Sequence, residues 1–266
     1  MSHTHPSSVH RWLYEQVGIL HRDLSLNNIM YRIHKKKNEA GVIEKKVYGV
    51  LTDYDLSSWT ASLTPDYTKT SQQRTGTPPF MAHGLLKGTD SFHLYRHDVE
   101  SLFYIMLILA AHYEIRAPKK GKGGGLRMRK GKRHFQDWFD EPNYCTLGRI
   151  KSDFFAEFGA FEVSPSFKAF HNWLLMLYAP FARGFQAKRS HSMEQMMQQP
   201  VLQGLEQVLG EVVSPAFDEE TLGGHVTYFT LINPARHLTG ELKGLAIRYN
   251  PQSPPPPTGG TGVSSS

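Results

Sequence analysis

Leu20-His21-Arg22-Asp23-Leu24-Ser25-Leu26-Asn27-Asn28-Ile29 is the stretch whose reading decides the fold. It gathers a histidine, an arginine, a carboxylate and an amide into one short run bounded by apolar residues. Alone, it reads as a polar loop between a helix and a strand. On its N-terminal side, Val9, Trp12, Leu13 and Gln16 share one stripe, which predicts a helix over Ser8 to Val17 that Gly18 stops. On its C-terminal side, Asn28 to Ile33 and Lys46 to Thr52 are apolar-rich runs separated by a polar turn, which predicts a β-hairpin. A hairpin returns its ends to neighbouring positions. Asp53 is therefore expected beside the loop, although 30 residues separate it from Asp23.

Three further signals follow in order: Thr52-Asp53-Tyr54-Asp55-Leu56, then Arg74-Thr75-Gly76-Thr77 with Phe80-Met81-Ala82, then Tyr95-Arg96-His97-Asp98-Val99-Glu100-Ser101 opening a long apolar helix. With His21-Arg22-Asp23 and Asn28 in the H-R-D-x-x-x-x-N spacing, this succession resembles the C-terminal lobe of fungal-type protein kinases, a divergent branch of the protein kinase-like superfamily. The resemblance covers roughly residues 8–210. It implies an α+β, mainly α fold: a kinase-like C-lobe with a small hairpin and the N-lobe absent.

The same resemblance implies ATP and Mg2+ as cofactors and assigns roles. Asp23 is the base that takes the proton of an attacking hydroxyl, and Asn28 and Asp53 are the magnesium ligands. His21 belongs to the same loop, and Arg22 is the cation that an activation-segment phosphate would meet. Thr77 is the threonine that hydrogen-bonds the catalytic aspartate and favours Ser/Thr hydroxyls. Asp98 binds the backbone amides of the loop; a simpler reading is an acid placed at a helix start by the macrodipole. Ser57 to Arg74 reads as the activation segment, with Thr68, Thr70, Ser71 and Thr75 as candidate phosphorylation sites.

Some positions depart from the pattern. Asp55 replaces a glycine, and Ser25 replaces a lysine that touches the transferred phosphate in most serine/threonine kinases; D-[FY]-D and the serine both resemble the fungal branch. Gly84 replaces a glutamate that locks the segment to an arginine, which predicts a looser segment. The Gly-rich phosphate loop, its strand lysine and the helix glutamate have no counterpart in the sequence. Gly121-Lys122-Gly123-Gly124-Gly125 does not qualify, lacking a strand before it and a helix after it.

Three functions follow. The first is the catalytic lobe of an ATP-dependent protein serine/threonine kinase. The second is a non-catalytic pseudokinase or scaffold lobe, or a truncated gene product. The third is a small-molecule phosphotransferase, which H-x-D-x-x-x-x-N and D-Y-D also allow; Gly76-Thr77 and Arg22 favour a protein substrate. A partner supplying the upper lobe in trans would suit an apolar patch left above the loop.

Charge and composition bound the rest. The net charge of +6 is concentrated: residues 119–133 hold eight Lys or Arg and no acid, leaving 22 basic against 24 acidic residues elsewhere. That Gly-rich segment is expected to be disordered inside the lobe. A solvated loop is the simple reading, and a nuclear localisation or nucleic-acid segment the alternative, although no aromatic is interleaved for stacking. Cys145 stands alone, so no internal disulfide forms, in keeping with an intracellular protein of cytoplasm or nucleus. The longest apolar run, Leu102 to Ala111, is too short to span a bilayer, so no membrane is expected. Phe135 to Phe158, Phe167 to Phe181 and Met193 to Leu209 predict helices, and His225 to Ile232 predicts a strand. The domain plan is a disordered start over 1–7, the lobe over 8–210, an extension over 211–250 and a Pro/Gly/Ser tail over 251–266.

Overall fold

The computed structural model describes residues 6–39, 41–60, 76–116, 125–157, 160–209 and 216–234. Helix α1 spans Pro6–Trp12 and begins two residues earlier than the expected disordered start allows. Proline suits the first helical turn, where its missing N–H would have no partner. A π-helical turn, Leu13–Val17, continues it until Gly18 at φ 74° sends its N–H back to Leu13 and Tyr14. The predicted glycine stop is present because only a left-handed residue returns the chain in this way.

Strand β1 (Ile19–Leu20) pairs antiparallel with β4 (Ser58–Trp59). This clasp closes a unit that contains the loop and the hairpin. The hairpin is β2 (Ile29–Lys37) and β3 (Ile43–Leu51), with Ile29 opposite Leu51 and Lys37 opposite Ile43. It is present as predicted and longer on both strands. Asn38 closes the tip, its side chain accepting from the Val42 N–H at 2.9 Å.

A 3-10 turn, Pro78–Phe80, leads to the short helix α2 (His83–Lys87). Helix α3 (Tyr95–His112) is the core of the molecule. It is apolar almost all round, as read from sequence, and Val99, Phe103, Tyr104, Leu107, Ile108 and Ala111 are fully buried. Its start is capped by His97, whose Nδ1 accepts from the Leu94 N–H at 2.9 Å. Two later helices wrap it, and Phe103, Phe155 and Phe181 meet with ring centroids 5.3–6.2 Å apart.

Four predictions need correction. Phe135 to Phe158 is not one helix but α4 (Asp137–Asp140) and α5 (Tyr144–Ala156). Pro142 breaks the run, and Asn143 starts the second helix by accepting from the Thr146 N–H at 2.9 Å. Conversely, the two helices expected from Phe167 onward are a 3-10 turn, Pro165–Phe170, and one 39-residue helix, α6 (His171–Leu209). The polar interval between them lacks apolar periodicity, but its Ala, Arg, Gln and Lys residues favour helix regardless. The expected strand at His225 to Ile232 is the short helix α7 (Tyr228–Ile232). Local capping wins there, because the Thr227 N–H donates to the Thr230 hydroxyl at 2.8 Å. Part of the expected disordered basic segment is a strand: β5 (Tyr113–Arg116) pairs with β6 (Gly125–Met128), setting Tyr113 against Met128 and Ile115 against Leu126. Residues 119–124 of that segment, the candidate sites Thr68, Thr70, Ser71 and Thr75, and the tail 251–266 lie outside the described residues. Among the described residues, no helix is long and apolar enough to cross a membrane.

Candidate active site

The loop between β1 and β2 is held from below by one carboxylate. Asp98, in the first turn of α3, is fully buried. It accepts the His21 N–H at 2.9 Å and the Arg22 N–H at 3.2 Å. The Nε2 atoms of His10 and His93 lie 2.8 Å from its two oxygens. Burial alone would raise its pKa, but the charge and hydrogen bonds of His93 and His10 outweigh that and hold it well below the ordinary carboxylate value. Asp98 thus sits in the first turn of α3 and at the same time accepts the two loop amides.

Held in this way, the loop bends sharply. Arg22 has φ 69° and is 5 % exposed. A non-glycine residue in that region is strained, which marks a position the surroundings enforce. The bend brings Asp23 to the surface side of the loop, half-buried. Its Oδ1 accepts the Thr77 hydroxyl at 2.9 Å and the Thr77 N–H at 2.8 Å. The Asn28 side-chain amide donates to the Asp23 carbonyl at 2.8 Å and to Oδ2 at 3.3 Å. Asn28 thus spends its N–H donors on Asp23, which leaves its amide oxygen as the atom suited to a hard cation.

The hairpin delivers Asp53 as expected. The Thr52 N–H donates to the Asn28 carbonyl at 3.0 Å, and the Thr52 carbonyl accepts from His21 Nε2 at 3.0 Å. The His21 ring also meets Tyr54, with centroids 4.8 Å apart. Burial lowers the His21 pKa, so the ring is held as a neutral donor to that carbonyl. Asp53 itself is exposed and has φ 65°. One carboxylate and one amide make no protein cage for a metal. Among the described residues, no group of three His, Cys, Asp or Glu side chains could hold one. The pair instead fits magnesium carried in on phosphates, which asks only one or two protein ligands.

Gly76, at φ 120°, permits the approach of the segment that bears Thr77. A Cβ there would lie 3.1 Å from the Arg22 carbonyl and 3.1 Å from Met81 Cγ. Arg22, Asp23, Gly76, Thr77 and Met81 line one shallow crevice. Ser25 is 2 % exposed and brings no cation to the surface.

The expectation of a looser segment falls on residues 57–74, of which 61–74 lie outside the described residues; at Gly84 itself an acid is supplied from elsewhere in the chain. A Cβ on Gly84 would fall 2.0 Å from Asp90 Oδ2. Asp90 fills that space, paired to Arg96 at 2.9 Å and Lys188 at 2.7 Å and accepting from His97 Nε2 at 3.0 Å. Burial opposes ionisation of Asp90, yet these partners depress its pKa strongly. Burial, with the neighbouring Arg96 charge, keeps His97 neutral down to about 3. Glu100 adds a second tie: its Oε1 accepts from the His83 N–H at 2.8 Å and from the Tyr104 hydroxyl at 2.6 Å. Sequence reasoning missed Asp90, Glu100 and Lys151. The signal for the last two was a charge on an otherwise apolar helix face; Asp90 carried none.

His21, Arg22, Asp23, Asn28, Asp53, Thr77 and Asp98 therefore converge as expected. Comparison with curated proteins and with solved structures gave no match. The model of the fungal protein kinase family matches residues 8–110, and every one of these converging residues lies inside that span, so over it the chain is similar to fungal protein kinases.

Proposed function

We propose that this chain carries the catalytic-loop half of a protein kinase active site, a C-lobe that transfers the γ-phosphoryl of ATP to a serine or threonine hydroxyl of a protein. The observation that carries this reading is the joint engagement of Asp23 by Thr77 and Asn28, next to an Asp53 fixed in a strained conformation. Asp23 is oriented by three donors, so its carboxylate meets an incoming hydroxyl without reorganisation and accepts its proton. Thr77 fixes Oδ1, leaving Oδ2 as the oxygen for that proton. Asn28 and Asp53 would hold magnesium on the nucleotide phosphates, where it neutralises charge. A partner lobe in trans would cover the exposed apolar residues Tyr31, Ile33 and Val47, which continue from the site along β2 and β3.

The test is thermal stability with and without Mg·ATP, alongside Asp53→Ala. Ligand at 100 times its dissociation constant adds about 2.7 kcal/mol. The expected result is a rise that needs both magnesium and Asp53. No rise at millimolar ATP, with a folded protein, overturns nucleotide binding by this chain. A rise without phosphotransfer to any peptide would favour a binding lobe without turnover, for which the cation-free Ser25 speaks.

A further inference from the structure

Lys151 lies on α5, beyond the residues that match the family. It shares the inward face of that helix with Leu147, Gly148 and Phe155, and it is 0 % exposed. A lysine there is costly unless every donor is satisfied. Its Nζ donates to the carbonyls of Met81 at 2.7 Å, Pro79 at 2.9 Å and Pro78 at 3.1 Å. The rings of Tyr104 and Trp138 lie 4.3 and 4.9 Å from the same nitrogen. Three acceptors match the three N–H donors of an ammonium; a neutral amine has two. Burial pushes the other way and lowers the pKa well below the ordinary lysine value, opposed by the charge of Glu100.

The target of these bonds explains why a cation is used. Pro78 and Pro79 have no N–H, so the start of this turn can be tied down only through its carbonyls. The turn leads straight out of Thr77, whose own carbonyl accepts the Phe80 N–H at 2.9 Å and the Met81 N–H at 3.1 Å. A shift of the turn would therefore carry Thr77 away from Asp23.

We propose that Lys151 is a positioning residue that grips the Pro78–Met81 turn through its three carbonyls and so keeps the Thr77 donors on the Asp23 carboxylate. The catalytic consequence rests on the phosphotransfer reading; the grip itself does not. In the wild-type protein labelled with 15N-lysine, one Nζ resonance should exchange its protons slowly, and Lys151→Met should remove it. In that variant the Thr77 amide should lose about tenfold of its exchange protection while amides in the middle of α3 keep theirs. Where the wild type transfers phosphate to a peptide, Lys151→Met should lower kcat by about tenfold with Mg·ATP affinity unchanged. A wild type without a protected Nζ signal, Thr77 exchange unaffected by the substitution, or equal loss of protection across α3 overturns the proposal. Failure of Mg·ATP to bind the wild type overturns the phosphotransfer reading alone, because the Nζ and Thr77 measurements need no nucleotide.

Discussion

Single residues in this chain derive their roles from burial set against partners. Asp98 is the plainest case, a fully buried carboxylate with two backbone N–H donors and two imidazoles around it. Asp98→Ala removes the partner that all four groups share and should cost about 3–5 kcal/mol, read from the shift of a urea transition. If the unfolding free energy changes by less than about 0.5 kcal/mol, the loop is held by something else. Acid should act in the same region, and the sign can be worked out. His97 has its pKa lowered by burial to about 3, against an ordinary 6.5. As pH falls below 6.5, the unfolded chain binds a proton that the folded chain refuses, so stability is lost with acidification. Between pH 7 and pH 5 this group alone removes about 2 kcal/mol. Glu100 is held at about 2, against 4.5, by His83 and Tyr104 working against burial. Its contribution is complete above 4.5 and disappears as pH falls towards 2, the same direction in a lower window. Urea midpoints at pH 7, 5 and 4 check both, and a midpoint that rises on acidification contradicts them. His97→Gln should flatten the upper window.

At the scale of elements, the segment after Thr77 is secured by an acid borrowed from the following turn. Restoring a glutamate at 84 should not strengthen it. Asp90 already occupies the space, 2.0 Å from where the Cβ would sit. Gly84→Ala and Gly84→Glu should therefore both destabilise, by about 2 kcal/mol or more, because an ion-paired carboxylate has to move. A stabilised Gly84→Glu variant in a thermal melt would show instead that Asp90 is a weak substitute. This relay also shows what the sequence could reveal. The hairpin, the glycine stop and the buried helix were legible because local chemistry and periodicity decide them. Asp23, Asn28, Thr77 and Asp98 were legible because their spacing is a known pattern. Asp90 was not, since its role depends on a glycine six positions earlier and on Arg96 and Lys188, which folding alone brings near. The break at Pro142 was legible in principle, and apolar periodicity running across it concealed it.

At the scale of the whole molecule, residues 216–234 pack against the helical core. Glu220 accepts the Tyr14 hydroxyl at 2.9 Å and the Tyr95 N–H at 3.1 Å, so it joins the π-helical turn after α1 to the start of α3. Leu222, Val226 and Tyr228 are buried. Leu222 sits at φ 52°, a conformation that costs a β-carbon residue about 1–2 kcal/mol. Its reward is the seat it takes on α6, where a Cβ on Gly184 would fall 2.8 Å from Leu222 Cβ. A Cβ cannot rotate away, so Gly184→Ala must lift the segment and should destabilise by about 1–3 kcal/mol. Leu222→Gly relieves the backbone strain but gives up a buried side chain, for a net loss of about 2 kcal/mol or more. The two changes share one contact, so they should not add. With the Leu222 side chain gone, the nearest atom left to the alanine methyl is His225 Cβ at 3.2 Å instead of Leu222 Cβ at 2.8 Å, and the double variant should be about 1 kcal/mol more stable than the sum of the single losses. Denaturant unfolding of the four proteins measures this directly. Strict additivity would mean that the segment does not rest on α6 at Gly184, and its burial would then need another explanation.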